Sequence, residues 1–88
     1  VFLERGDAMS IGEAVRLRII ELCEERNLSV NALCYLSGVT QSTVNNIVSG
    51  RNHSTTISTL KKLCDGLDIS ISEFFHSPLF ENLDQELR

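Results

Sequence analysis

Three features of the 88-residue sequence predict an all-α fold. Apolar residues recur at helical spacing in successive short segments, most of them opened by Ser or Thr and several closed by Gly or Asn. No stretch shows the apolar–polar alternation of a half-buried strand. The composition, 42% hydrophobic and 23% charged with a mean hydropathy of +0.01, suits one small globular domain. The pattern resolves into five or six short helices.

Ser10 is a suitable N-cap for the first helix, with Glu13 at the capping-box position. Ile11, Val15, Ile19, Leu22 and Cys23 form its inward stripe. It ends near Arg26-Asn27, where Asn tolerates a left-handed cap. Ser29 caps the second helix, whose apolar face is Leu33, Cys34 and Leu36, and Gly38 stops it. Thr40 caps the third, over residues 41–49, with Val44, Ile47 and Val48 inward and Gly50 just past its end. A polar loop over 51–55 leads to Thr56, which caps a fourth helix facing inward through Ile57, Leu60, Leu63, Cys64 and Leu67. Ser70 caps a fifth, with Ile71, Phe74 and Phe75. Ser77-Pro78 carries the signature of a sixth start, proline at the first helical position. Leu79, Phe80, Leu83 and Leu87 would then line one face of an amphipathic helix. That stripe suits either a dimer contact or a return onto the domain's own core.

The organisation read from this pattern is an N-terminal segment over 1–9, a helical domain over 10–76 and a C-terminal amphipathic segment over 77–88. Met9 is the only methionine. The preceding Glu4-Arg5-Gly6 back-translates to a purine-rich stretch like a ribosome-binding site. Residues 1–8 therefore read as an upstream remnant, with Met9 as the natural start, or else as a short ordered arm.

The chain is too short for a dinucleotide-binding domain with a substrate domain, or for a β/α barrel. It has no apolar run long enough for a transmembrane helix and no signal-peptide pattern, which predicts a cytoplasmic protein. The three cysteines, Cys23, Cys34 and Cys64, are odd in number and lack metal-site spacing. They read as buried thiols, with no metal and no cofactor; a site assembled from all three with His53 is the weaker alternative. The central region lacks Asp and Glu, and no nucleophile–base arrangement is present, so no enzyme is expected.

The charge distribution is the most informative feature. A net charge of −4 and a pI near 5.0 argue, taken whole, against a nucleic-acid partner. Yet residues 27–64, a 38-residue stretch, contain no Asp or Glu and carry Arg51, Lys61 and Lys62. This stretch is rich in Asn, Ser, Thr and Gln, whose neutral donors and acceptors suit phosphates and base edges. Within it, Cys34 lies four positions before Gly38, Val39 follows the glycine, and Val44 and Ile47 fall six and nine positions after it. Two helices crossing steeply over a short turn need this arrangement: a small residue where they touch, a left-handed glycine, and an inward anchor on the second helix.

These residues resemble the Cro/C1-type helix-turn-helix family, also called the XRE family, of bacterial and phage regulators. The resemblance covers about residues 19–75. It runs through Asn27-Leu28-Ser29, Leu33-Cys34, Ser37-Gly38-Val39-Thr40, Ser42-Thr43-Val44-Asn45-Asn46-Ile47-Val48-Ser49-Gly50, Thr59-Leu60-Lys61-Lys62-Leu63-Cys64-Asp65-Gly66-Leu67 and Ile69-Ser70-Ile71-Ser72-Glu73-Phe74-Phe75. Two positions depart from the family's habit. Ala32 stands where Glu or Gln often completes a capping box, and Ser54-Thr55 where a proline often precedes the fourth helix.

The resemblance implies a compact five-helix, lambda-repressor-like DNA-binding domain, with a short C-terminal sixth helix as an addition. It implies a sequence-specific regulator of transcription, a repressor, acting on double-stranded DNA as a homodimer. Helix 3 would lie in the major groove. By position, Thr40, Gln41, Ser42, Thr43, Asn45 and Asn46 would read bases. Absence of Arg and Lys from helix 3 leans the readout towards A·T pairs. Ser29, Asn31, Tyr35, Arg51, Asn52, His53, Thr56 and Lys61 would meet phosphates. Lys61 and Lys62 splay apart, so at most one of them would face DNA. The competing reading is a protein-interaction module with a protein partner, either the antitoxin of a toxin–antitoxin pair or an anti-repressor.

Overall fold

The structure, a computed structural model, describes residues 8–87. The remnant proposed over residues 1–8 thus falls, except for Ala8, outside the described residues. Helix α1 spans Ile11–Glu25, α2 Val30–Ser37, α3 Gln41–Val48, α4 Ile57–Leu67 and α5 Ile71–Phe75, and a 3-10 turn follows at Pro78–Phe80. Every expected N-cap acts as one. The side chains of Ser10, Ser29, Thr40, Thr56 and Ser70 each accept from the backbone N–H three residues on, and Ser77 accepts from Leu79. These contacts satisfy donors that a helix start leaves unpaired. At Ser10 only half of the capping box is made, because the Glu13 carboxylate instead takes Arg16 at 2.9 Å.

Helices α1 and α4 end alike. Asn27 (φ 54°) and Asp68 (φ 59°) are left-handed. The N–H groups of Leu28 and Ile69 then return to the carbonyls of Cys23 and Cys64, at 2.9 and 3.0 Å. This is the Schellman closure with Asn and Asp in the place usually held by glycine. Gly66 serves a different purpose: a Cβ there would lie 2.9 Å from Cα, Cβ and N of Ser37, so α2 and α4 meet backbone to backbone.

The core joins Ile19 of α1, Leu33 of α2, Val44 and Ile47 of α3, Leu63 and Cys64 of α4 and Phe74 of α5, each essentially inaccessible. Arg18, expected on no inward face, is also buried. It donates from Nε to the Phe74 carbonyl at 2.7 Å and from Nη2 to the Glu73 carbonyl at 2.9 Å, tying α1 to the end of α5. Three residues expected inside are exposed instead: Ile11, Leu36 and Ile57. Cys34 is only partly buried, unlike Cys23 and Cys64.

The sixth helix is a correction. Only the single 3-10 turn forms, and the described chain beyond it bends at Glu81-Asn82 and forms no further helix. Phe80 stacks edge-on against Phe75 (ring centroids 4.8 Å apart) and lies 6.1 Å from Phe74. Leu83 forms a parallel bridge with Met9, and the Asp84 N–H donates to the Met9 carbonyl at 2.8 Å. The Leu79, Phe80, Leu83 and Leu87 stripe is therefore not one surface: Leu87 is exposed while the other three are half-buried. A twelve-residue segment is too short to hold a helix by propensity alone, so tertiary contacts decide its shape. Among the described residues, no helix is long and apolar enough to cross a membrane.

Candidate nucleic-acid interface

The turn between α2 and α3 fixes the geometry. Gly38 adopts φ 73° and ψ 10°, and its N–H closes on the Cys34 carbonyl at 2.9 Å. A side chain is strained in that conformation. Val39 is buried, and Thr40 starts α3 one residue later. Val44 and Ile47 then anchor α3 in the core, leaving Gln41, Ser42 and Asn45 exposed on its outer face. Thr43 and Asn46 lie at the margins of that face and are half-buried. At the far end, Arg16 donates from Nε to the Val48 carbonyl at 3.0 Å, filling an acceptor that the helix terminus leaves open.

The structure brings several of the expected residues together. Gln41 Nε2 donates to Asn31 Oδ1, joining the start of α3 to the first turn of α2. Tyr35, 88% exposed, lies one turn after Asn31 on that same helix face. Thr40 and Thr43 share a hydroxyl hydrogen bond of 2.9 Å, so the capping threonine is already engaged within the helix start. Arg51 donates from Nε to Asn46 Oδ1 at 3.1 Å, and the Asn52 N–H donates to the Asn46 carbonyl at 2.9 Å. Asn52 Oδ1 in turn accepts from the Ser54 N–H at 2.8 Å. The loop after α3 is thereby folded onto the end of the outer face. His53 is exposed, and its backbone lies over Gly12, where a Cβ would meet the His53 carbonyl at 2.7 Å.

Two members of the expected phosphate set stand apart from this cluster. Thr56 caps α4 and bonds to Thr59 at 3.0 Å. Lys61 pairs with Asp65 on the next turn of α4, which offsets its charge. Lys62, not singled out by the sequence as the better candidate, has no ion-pair partner among the described residues. Arg51 likewise has none, whereas Arg16 pairs with Glu13, Arg18 with Glu21 and Arg26 with Glu25.

Burial raises the Cys23 and Cys64 thiols above their ordinary pKa, which keeps both protonated and unreactive at neutral pH. Among the described residues, no three His, Cys, Asp or Glu side chains gather as metal ligands.

Comparison with known proteins agrees with this geometry. The profile of the Cro/C1-type HTH DNA-binding domain matches residues 18–77. Among solved structures, prophage Lp1 protein 11 is 40% identical, with a TM-score of 0.71 over 80% of this chain and 92% of that one. The wild-type restriction-modification controller protein C.Esp1396I is 23% identical, with a TM-score of 0.69 over 74% of this chain and 82% of that one. At that identity the second likeness is one of fold. No curated protein matches the chain. The matched residues run from α1 through α5 and include the whole α2–turn–α3 unit, and the chain belongs to the Cro/C1-type helix-turn-helix family of DNA-binding transcription regulators.

Proposed function

We propose that the protein is a cytoplasmic, sequence-specific repressor that binds its operator as a homodimer and reads the major groove with α3. The observation that carries this reading is the outer face of α3. It is polar, free of carboxylates and held rigidly by Val44 and Ile47 below and by the Gly38 turn before it. Gln41, Ser42 and Asn45 present hydrogen-bonding groups to base edges. Gln and Asn match the donor–acceptor pair of adenine, and the Thr40 and Thr43 methyls suit thymine. Ser29, Asn31 and Tyr35 on one side, and Arg51, Asn52 and His53 on the other, flank that face as phosphate contacts. Thr56 adds the N-terminus of α4. Lys61 contributes little beside Asp65.

A homodimer follows from the scarcity of uncompensated cations. One protomer offers too few for stable binding, and two-fold pairing doubles them and sets half-sites about one helical turn, roughly 34–36 Å, apart. Bound over a promoter, such a pair excludes the transcription machinery.

Selection from a random duplex pool at physiological salt tests the reading. An enriched two-fold motif with A·T-rich half-sites is expected, and its half-site spacing measures the dimer. Recovery at background refutes the reading in favour of a protein-interaction module.

A further inference from the structure

Asn46 sits at the margin of α3's outer face, where sequence position alone makes it a base reader. Its hydrogen bonds point elsewhere. The side-chain oxygen accepts from Arg51 Nε at 3.1 Å, and its backbone carbonyl accepts from the Asn52 N–H at 2.9 Å. The carbonyl also lies 3.4 Å from the Ser49 hydroxyl, which donates to it. Gly50, left-handed at φ 86°, turns the chain so that Arg51 returns to the helix it has just left.

We infer that Asn46 is a positioning residue for Arg51, and that the pair forms an aimed phosphate clamp at the end of the recognition helix. Three observations carry this. First, the contact uses Nε alone, so both Nη groups of Arg51 stay available for a phosphate, in the two-point geometry that guanidinium groups favour. Second, Arg51 is the only arginine among the described residues without a carboxylate partner, as residues 27–64 contain none. A neutral amide orients the guanidinium and leaves its full charge in place; a carboxylate there would orient it and cancel it. Third, the Asn46 amide oxygen is the acceptor an adenine amino group would need, and Arg51 already takes one of its two lone pairs and turns it towards the loop. The inference rests on the reading of this face as a duplex-binding surface and assigns Asn46 to the backbone rather than to the bases.

Quantitative binding by the full chain tests it, using the duplex enriched by the selection and a pooled random duplex of the same length. Arg51→Ala is expected to weaken both about tenfold or more, and to lower the slope of log K against log salt by about 0.9 per protomer, about 1.8 for the two-fold pair. Asn46→Ala frees a long side chain that binding must then order, so a loss of about 2- to 10-fold is expected on both duplexes, with the base-preference profile unchanged. In the Arg51→Ala background, Asn46→Ala should cost nothing further. Asn46→Asp keeps the hydrogen bond to Arg51 but neutralises its charge, so it should lower the salt slope as Arg51→Ala does. A structural role alone would not produce that result.

The inference is overturned if Asn46→Ala shifts the preference at one operator position, if the two losses multiply in the double variant, or if Asn46→Asp leaves the slope intact. Absence of duplex binding by the unaltered protein overturns the DNA reading, and the clamp with it. Wild-type binding with multiplied losses overturns the clamp alone.

Discussion

Replacing Gly66 by alanine sets two effects of opposite sign against each other, and the structure decides between them. Gly66 lies inside α4, where glycine is normally a poor choice, and Gly→Ala in an exposed helix gains about 1 kcal/mol. Here the added Cβ would sit 2.9 Å from three atoms of Ser37, two of them backbone. No rotamer change moves a backbone, so α2 must shift bodily away from α4. Overpacking costs about 1–3 kcal/mol, and three atoms this close, two of them backbone, put this case in the upper part, about 2–3 kcal/mol. The cost outweighs the gain, and the variant should lose about 1–2 kcal/mol. Urea unfolding monitored by far-ultraviolet circular dichroism measures this. With a slope near 1 kcal/mol/M for a small domain, the midpoint should fall by about 1–2 M with the slope unchanged. Adding Ser37→Gly removes only one of the three atoms and should restore little. Since α2 sets the turn at Gly38 and hence the aim of α3, the folded variant should also bind duplex more weakly. A midpoint equal to or above that of the parent protein would refute the argument, because propensity would then outweigh the close approach.

Three further outcomes follow from particular contacts. Gln41→Ala should lower affinity for the selected duplex by about 1–3 kcal/mol and relax preference at one base pair per half-site, with the salt slope unchanged, as fluorescence anisotropy on operator variants would show. Arg18→Met preserves most of the buried volume but strips the Phe74 carbonyl of its donor and leaves the Glu73 carbonyl only the His76 N–H, so chemical denaturation should register a loss of about 1–3 kcal/mol. Burial raises the Cys23 and Cys64 pKa above the unfolded value, so the folded state holds those protons longer. That stability is fully present below the ordinary thiol pKa, about 8.5, and is lost as pH rises through the folded values. Denaturation between neutral and alkaline pH should show that fall, with a shallower slope in Cys23→Ala/Cys64→Ala.

The fold was legible in the sequence wherever a local contact decides it. A Ser or Thr just before a run of free N–H groups has a single efficient use at a helix start, and all six caps form there. Gly38 was legible for the same reason. Features set by distant partners were not. Leu36 lies on a two-turn helix whose period cannot fix its face, and Ile57 opens α4 before any neighbour covers it. Leu79, Leu83 and Leu87 keep helical spacing, but Phe80 finds Phe74 and Phe75, and Leu83 finds Met9. Arg18 reads as a surface charge until its carbonyl partners, more than fifty residues away, are in place. At the interface, the sequence placed the outer residues of α3. It did not show that Asn46 faces Arg51, because a left-handed Gly50 lies between them and reverses the chain.

The distribution of ion pairs sets how strongly salt should weaken binding. Arg16, Arg18, Arg26 and Lys61 each have a carboxylate neighbour, so moving any of them onto a phosphate first requires breaking that pair. Arg51 and Lys62 require no such step, and Arg5 and Arg88 lie outside the described residues. Each neutralised phosphate contributes about −0.9 to the slope of log K against log salt. Two cations per protomer therefore give roughly −2 for one protomer and roughly −4 for a two-fold pair. For one protomer that is about a tenfold loss between 50 and 200 mM salt. Binding to random duplex should consequently be weak, since the acidic remainder of the chain repels the backbone and few counterions are released. On the proposed reading, discrimination would then come from a low non-specific background as much as from amide and hydroxyl contacts of α3. Anisotropy titrations over a salt series on selected and random duplexes measure both slopes. A slope near −8 for the pair would refute the reasoning, since it would require cations beyond Arg51 and Lys62 to reach the phosphates.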